Sequence, residues 1–174
     1  EDPSVLNRFF PELVRTLAGL SGAIAWTQGA ITSAGWFDWL SALPFELRST
    51  LPDGARLLGV HASPQADDLG VHRALSESEI RELLAGCDAD LVCAGHTHVS
   101  MEARVDQTHV VNLGSVSNPF APDLRASYAI LEADASGYEI QVRKVEYDRD
   151  AVIAALQAVK YPFVDMFIQH LRGE

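Results

Sequence analysis

Three short polar strings follow, or lie between, apolar runs in this chain: Gly59-Val60-His61-Ala62, Gly95-His96-Thr97-His98, and Asn112-Leu113-Gly114-Ser115-Val116-Ser117-Asn118-Pro119. In open α/β sheets the loops at the carboxyl ends of strands line the ligand crevice. Two strands that each end in histidine supply what such a crevice needs to hold a metal. His96 and His98 are the sharpest local feature, because borderline divalent metals take neutral imidazole. Two imidazoles two positions apart can point to one side of an extended segment, and Gly95 permits close backbone approach. The competing reading is coincidence: six histidines in 174 residues give roughly 0.2 such pairs at random. Placement directly after the apolar run Leu91-Val92-Cys93-Ala94 favours the metal.

The other candidates are weaker on their own. His61 alone is as readily a hydrogen-bonded rim residue as a ligand. Asp67 and Asp68 read as a solvated acidic turn. The Asn112–Pro119 string is either an ordinary turn-rich loop or a backbone cradle near phosphate. His72, His109 and His170 show no ligand spacing and read as structural or exposed. The three tryptophans have no interleaved basic residues, so they read as core rather than as a base-stacking platform.

The elements that must carry these strings form an α/β pattern. A first helix is expected from Ser4 as cap through Leu6, Phe9, Phe10, Leu13, Val14 and Leu17, then a glycine-bearing stretch to Gly35. Trp36, Trp39, Leu40 and Leu43 suggest a short second helix stopped before Pro44. Residues 45–50 and 55–61 can pair across Pro52-Asp53-Gly54, and Leu57-Leu58-Gly59-Val60 reads as a strand buried on both faces. Ser76 and Glu79 make a capping box for a helix with Ile80, Leu83, Leu84 and Cys87 on one stripe. Residues 91–94 predict a buried strand, followed by strands at 102–105 and 109–113. Residues 127–132 and 138–147 predict a hairpin about Ala135-Ser136-Gly137, with a bulge near Arg143-Lys144 to reconcile the alternation. Asp148 caps a helix with Val152, Ile153, Leu156 and Val159 inward, and Pro162 starts a last helix bearing Phe163, Met166, Phe167 and Leu171.

The whole chain bounds the function further. At 174 residues and 48% hydrophobic it is one domain's length with enough apolar content for a core. Its net charge of −11 excludes a general nucleic-acid backbone binder, which needs a basic face; metal ions could still attract a phosphate locally. No apolar run reaches the length of a membrane span. No signal peptide is visible, and without an initiator Met the chain is expected to begin inside a longer reading frame. Cys87 and Cys93 form no CxxC or disulfide pattern, which points to a reducing, cytoplasmic setting.

Together the strings resemble the calcineurin-like metallophosphoesterase superfamily, particularly its small bacterial and archaeal phosphodiesterase branch. Gly59-Val60-His61, Gly95-His96-Thr97-His98 and Asn112-Leu113-Gly114-Ser115-Val116 carry the match in the family's order. Asp123-Leu124-Arg125-Ala126-Ser127-Tyr128-Ala129-Ile130-Leu131 resembles the following strand, and Val145-Glu146-Tyr147-Asp148 the approach to a C-terminal helix. Leu113 stands where the family usually has Pro, and Ser117 where it has Gly. The family's Asp-x-His, Gly-Asp and Gly-Asn-His motifs should precede the first helix and do not occur in these residues.

The resemblance implies the C-terminal half of a four-layer αββα sandwich, a single partial domain over residues 1–174 whose N-terminal metal-binding half is the partner it needs. It implies that His61 and His96 bind one metal and His98 the other, with Asn112, Gly114 and Ser115 near the phosphate. The implied cofactors are two divalent ions, among manganese, iron, zinc, nickel and cobalt. The implied activity is hydrolysis of phosphodiesters or phosphomonoesters by a hydroxide activated between the metals, with this piece alone a poor enzyme. A non-catalytic scaffold or protein-binding module on the same fold is the alternative, against which the three imidazoles argue. Metallo-β-lactamase-like enzymes need HxHxDH, but Val99-Ser100-Met101 follows His98, and amidohydrolases place HxH near a barrel's start. A half-domain would expose its sheet edge and core, so either the other half is present but separate or this chain self-associates.

Overall fold

In a computed structural model, residues 10–174 are described. They divide into two compact units, one containing the residues up to Leu43 with Asp148–Arg172, the other Pro44–Tyr147. The first unit holds helices α1 (Pro11–Ser33), α2 (Phe37–Ser41), α4 (Arg149–Ala158) and α5 (Val164–Arg172). The second holds α3 (Glu77–Leu83) and seven strands: β1 (Glu46–Thr50), β2 (Arg56–Val60), β3 (Leu91–Ala94), β4 (Met101–Val105), β5 (Thr108–Asn112), β6 (Ala126–Asp134) and β7 (Gly137–Val145).

Helix α1 departs from the sequence expectation. Ser4, Leu6 and Phe9 lie outside the described residues; Pro11 opens the helix at its first position, where its missing N–H costs nothing. The helix runs straight through Gly19, Gly22 and Gly29 to Ser33. Gly19 is a contact rather than a breaker, since a Cβ there would overlap the ring of Phe163. Trp26 meets Tyr161 edge-on at 5.0 Å, and Thr27 Oγ1 lies 3.3 Å from the Tyr161 hydroxyl. The Gly35 and Trp36 amides donate to the Thr32 and Ile31 carbonyls, closing the helix in the Schellman pattern. Asp148 caps α4 by accepting from the Ala151 amide, but Val159 is its C-cap and is exposed, against the inward expectation. Helix α5 begins at Val164, two residues later than Pro162, because Phe163 takes a left-handed φ of 59°.

The second unit is built on a mixed sheet in the order β1-β2-β3-β5-β4. β1 and β2 are antiparallel across residues 51–55, where Asp53 Oδ1 accepts from the Ala55 amide. β2, β3 and β5 are parallel neighbours, and β4 returns antiparallel on β5. Helix α3 makes the crossover from β2 to β3. Ser76 and Glu79 form the expected reciprocal capping box, and Ile80, Leu84 and Cys87 pack with Leu58, Val92 and Val110. Burial on both faces holds for β3 but not for β2, where Leu58 alone is buried, since the partner strand β1 is exposed throughout. β6 and β7 form a separate two-stranded sheet, paired without interruption from Ala126↔Val145 to Asp134↔Gly137. The bulge expected near Arg143-Lys144 is absent: the pairing continues regularly to Val145, which stays exposed at the end of the ribbon.

No helix among the described residues is long and apolar enough to cross a membrane.

Candidate functional site

Because β2, β3 and β5 run parallel, their carboxyl ends lie on one edge of the sheet. His61 follows β2, Gly95-His96-Thr97-His98 follows β3, and Asn112 ends β5. Backbone bonds lock the three exits together: the Gly95 amide donates to the His61 carbonyl at 2.8 Å, and the Leu113 amide to the Ala94 carbonyl at 2.8 Å.

The segment carrying the two histidines is not extended. His96 and His98 both hold left-handed backbones, at φ 67° and 60°. For a residue other than glycine this conformation is uncommon, although histidine adopts it more readily than most, and it costs about 1–3 kcal/mol; such residues cluster at functional sites. The two rings therefore go to different neighbours. His96 Nδ1 lies 3.2 Å from His61 Nε2, with the rings edge to face at 5.1 Å. His98 Nδ1 lies 3.2 Å from Asn118 Nδ2, and its ring stacks on Phe120 at 5.6 Å. His61 and His96 are exposed and His98 is half-buried.

Two ligand atoms on one divalent ion, each at about 2.1 Å and separated by about 90–110°, stand roughly 3.0–3.4 Å apart. The His61–His96 pair fits two corners of such a centre. Among the described residues no group of three or more His, Cys, Asp and Glu side chains comes together to hold an ion. The pair would thus need further donors, and His98, turned to Asn118 and Phe120, does not join it.

Asn112 is fully buried and its amide is fully engaged. Nδ2 faces the Val71 and Gly95 carbonyls at 2.9 and 2.7 Å and Thr97 Oγ1 at 2.9 Å, while Oδ1 accepts from the Gly114 amide at 3.0 Å. This side chain braces the loops rather than facing the crevice. Gly114 takes φ 79°, and a Cβ on it would overlap Ser127 Oγ. Ser127 Oγ accepts from the Ser115 amide at 2.9 Å and donates to the Leu113 carbonyl at 2.9 Å. Ser115 Oγ accepts from the Asn118 amide at 2.9 Å, and so sets the residue that meets His98.

Four contributors went unread in the sequence. Asn118 belongs to the Asn112–Pro119 string but carries no ligand signature, and Phe120 and Ser127 lie beyond it or in a strand. Gly70 is needed because a Cβ would overlap Thr97 Cγ2, at 2.6 Å, and crowd His96 Cδ2, at 3.0 Å, and no local pattern announces that approach. Asp67 and Asp68 are exposed, as expected of a solvated turn, whereas His109 is buried, with Nε2 2.8 Å from Glu102 and Nδ1 3.1 Å from the Tyr138 hydroxyl. Cys93, in β3, is half-buried, and burial pushes its thiol pKa up. That leaves it less of a thiolate than an ordinary cysteine.

An α/β unit with a mixed central sheet and imidazoles at the exits of its parallel strands defines the class of protein. The chain belongs to the calcineurin-like phosphoesterase superfamily, whose domain matches residues 28–136. In fold it is similar to a hypothetical protein from Pyrococcus horikoshii OT3, with TM-score 0.75 and 20% identity over 90% of this chain and 61% of that one. It is likewise similar to a metallophosphoesterase from Sphaerobacter thermophilus, with TM-score 0.67 and 24% identity over 80% of this chain and 61% of that one. The chain thus spans about three fifths of the length of each. No curated protein matches it.

Proposed function

We propose that the complete protein is a metal-dependent phosphoesterase that hydrolyses phosphodiesters or phosphomonoesters, with this chain supplying the histidine side of the centre. The observation that carries the reading is the 3.2 Å approach of His61 Nε2 to His96 Nδ1 at the exits of parallel strands. Family membership supports the reaction class. His61 and His96 would hold one divalent ion and His98 a second, of manganese, iron, zinc, nickel or cobalt, with the remaining donors coming from outside this chain. When bound, such ions supply an acidified water and neutralise charge on phosphate oxygens.

The chain's own residues then have positional work. His96 is set by its left-handed backbone, by the Gly95–His61 bond and by the close approach of Gly70. Asn118 and Phe120 fix the plane of His98, which decides where its other ring nitrogen points. Asn112, Gly114 and Ser115 act on the phosphate side by shaping the loop that carries Asn118.

The test is elemental analysis of the full-length protein alongside phosphoesterase assays. About two divalent ions per chain are expected, with His61→Ala and His96→Ala each losing the same ion and His98→Ala the other. Unchanged metal content and turnover in His96→Ala would sink the assignment. A metal-free, inactive full-length protein would instead favour a scaffold.

A further inference from the structure

Elsewhere in this acidic chain several arginines are spent on carboxylates: Arg48 on Glu46, Arg56 on Asp88 and Asp90, Arg81 on Glu77 and Asp106. Beside His98 the balance inverts. A cavity of about 310 Å³ is lined there by His98, Arg73, Arg125, Lys144 and Asp123, among others. Arg73 Nη2 donates to the Ser100 carbonyl at 2.8 Å, a neutral acceptor that leaves its charge uncancelled. Arg125 and Lys144 share one carboxylate, each 2.8 Å from Asp123 Oδ2, and hold that carboxyl well below its usual range. Glu146 also attracts Arg125. Even with Glu146 counted, three cations face two anions in a chain of net charge −11.

Such a concentration of cationic donors is a local field opposite to that of the whole molecule. Guanidinium groups match the oxygens of a phosphoryl group in geometry as well as charge. The volume is at the small end of ligand pockets, which run from about 300 Å³ upward. The cavity also shares His98 with the proposed centre, so a group seated in it stays next to a reacting phosphate. A larger pocket lined by His96 and Thr97 has the reverse character, with Asp68, Glu79 and Glu82 in its wall. The pocket at His96 and the cavity at His98 therefore differ in charge.

We propose that the Arg73–Arg125–Lys144 cavity is a subsite for a second phosphoryl group, so that the substrate is a phosphate ester bearing another phosphate. The assignment of the first phosphate to the histidine centre rests on the phosphoesterase reading above; the anion site itself does not.

Two arms separate these. In the first, inorganic pyrophosphate is titrated into the metal-free protein at constant ionic strength and followed by calorimetry. Saturable binding is expected, weakened about tenfold or more in Arg73→Gln and in Lys144→Gln and unchanged in the distant Arg81→Gln. Arg73 bonds only a carbonyl, so its variant tests the site even if loss of the Asp123 partner unfolds Lys144→Gln. No binding, or equal binding in Arg73→Gln, overturns the proposal. In the second arm, full-length metal-loaded protein is assayed on paired esters with and without a second phosphate. The bis-phosphate ester should be favoured about tenfold or more in kcat/KM, and that ratio should fall toward unity in Arg73→Gln. A ratio near unity in the wild type overturns the substrate class. Absence of turnover on every ester, with pyrophosphate binding intact, removes the phosphoesterase reading and with it the substrate class, leaving an anion site.

Discussion

The shortest element of the sheet and the longest helix treat their apolar residues in opposite ways. β3 has four residues and buries Leu91, Val92 and Ala94, flanked by Leu58 on β2 and Val110 and Val111 on β5. α1 has 23 residues and, among them, buries only Ala23. Leu13, Leu17 and Trp26 remain exposed on it, and Ile24 is 69% exposed. The strand is closed on both edges by hydrogen-bonded neighbours and on one face by α3, whereas α1 offers a face with few takers among the described residues. The histidine loops thus grow from the part of the molecule where packing is complete, and burial rather than element length decides where side chains are held rigidly enough for chemistry.

Substitutions can break or sharpen that contrast. The largest effect is expected for Leu58→Ala, at about 2–5 kcal/mol in urea denaturation, as for other sealed aliphatic sites. Asn112→Ala should cost about 2–4 kcal/mol, because it strands the Val71 carbonyl and the Gly114 amide. Asn112→Asp should not rescue it, since a carboxylate would face two carbonyls. Ser76→Ala, at the start of α3, should lose about 1 kcal/mol with the cap, read as a lower denaturation midpoint. A smaller effect concerns acid. Arg56 donates to Asp90 and pulls its carboxyl pKa down to about 2. The pair's contribution is present above the ordinary carboxylate value of about 4 and is lost as pH falls toward 2. Asp90→Asn should flatten that stretch of the stability–pH curve, and salt should shrink the difference because the pair is exposed. Ile24→Ser on α1 should change the midpoint by less than about 0.5 kcal/mol. A loss there as large as that of Leu58→Ala would end the contrast.

Much of the sheet was legible because its signals are local. The Pro52-Asp53-Gly54 turn, the run Leu91-Val92-Cys93-Ala94, the Ser76–Glu79 box and the Asp148 cap each declare themselves within a few residues. The same holds for the Gly95-His96-Thr97-His98 string and for His61. What stayed hidden depends on residues far apart in sequence. Gly19 reads as a helix breaker until Phe163 is seen against it, and Ser127 reads as an ordinary strand serine until it is seen bonding Leu113 and Ser115. The two histidines were expected to converge from an extended segment. Their left-handed backbones send them apart, and only the fold reveals that choice.

The buried amide of Asn112 has a kinetic consequence. It joins the loop through Val71, the histidine turn through Gly95 and Thr97, and the following loop through Gly114. The amide itself is fully buried, so pulling the Val71 loop or the Gly114 turn away from it strands a buried polar group, and these two segments are expected to open together. The Gly114 amide proton is then expected to exchange with that opening, so its exchange rate reports the coupled motion of the two loops.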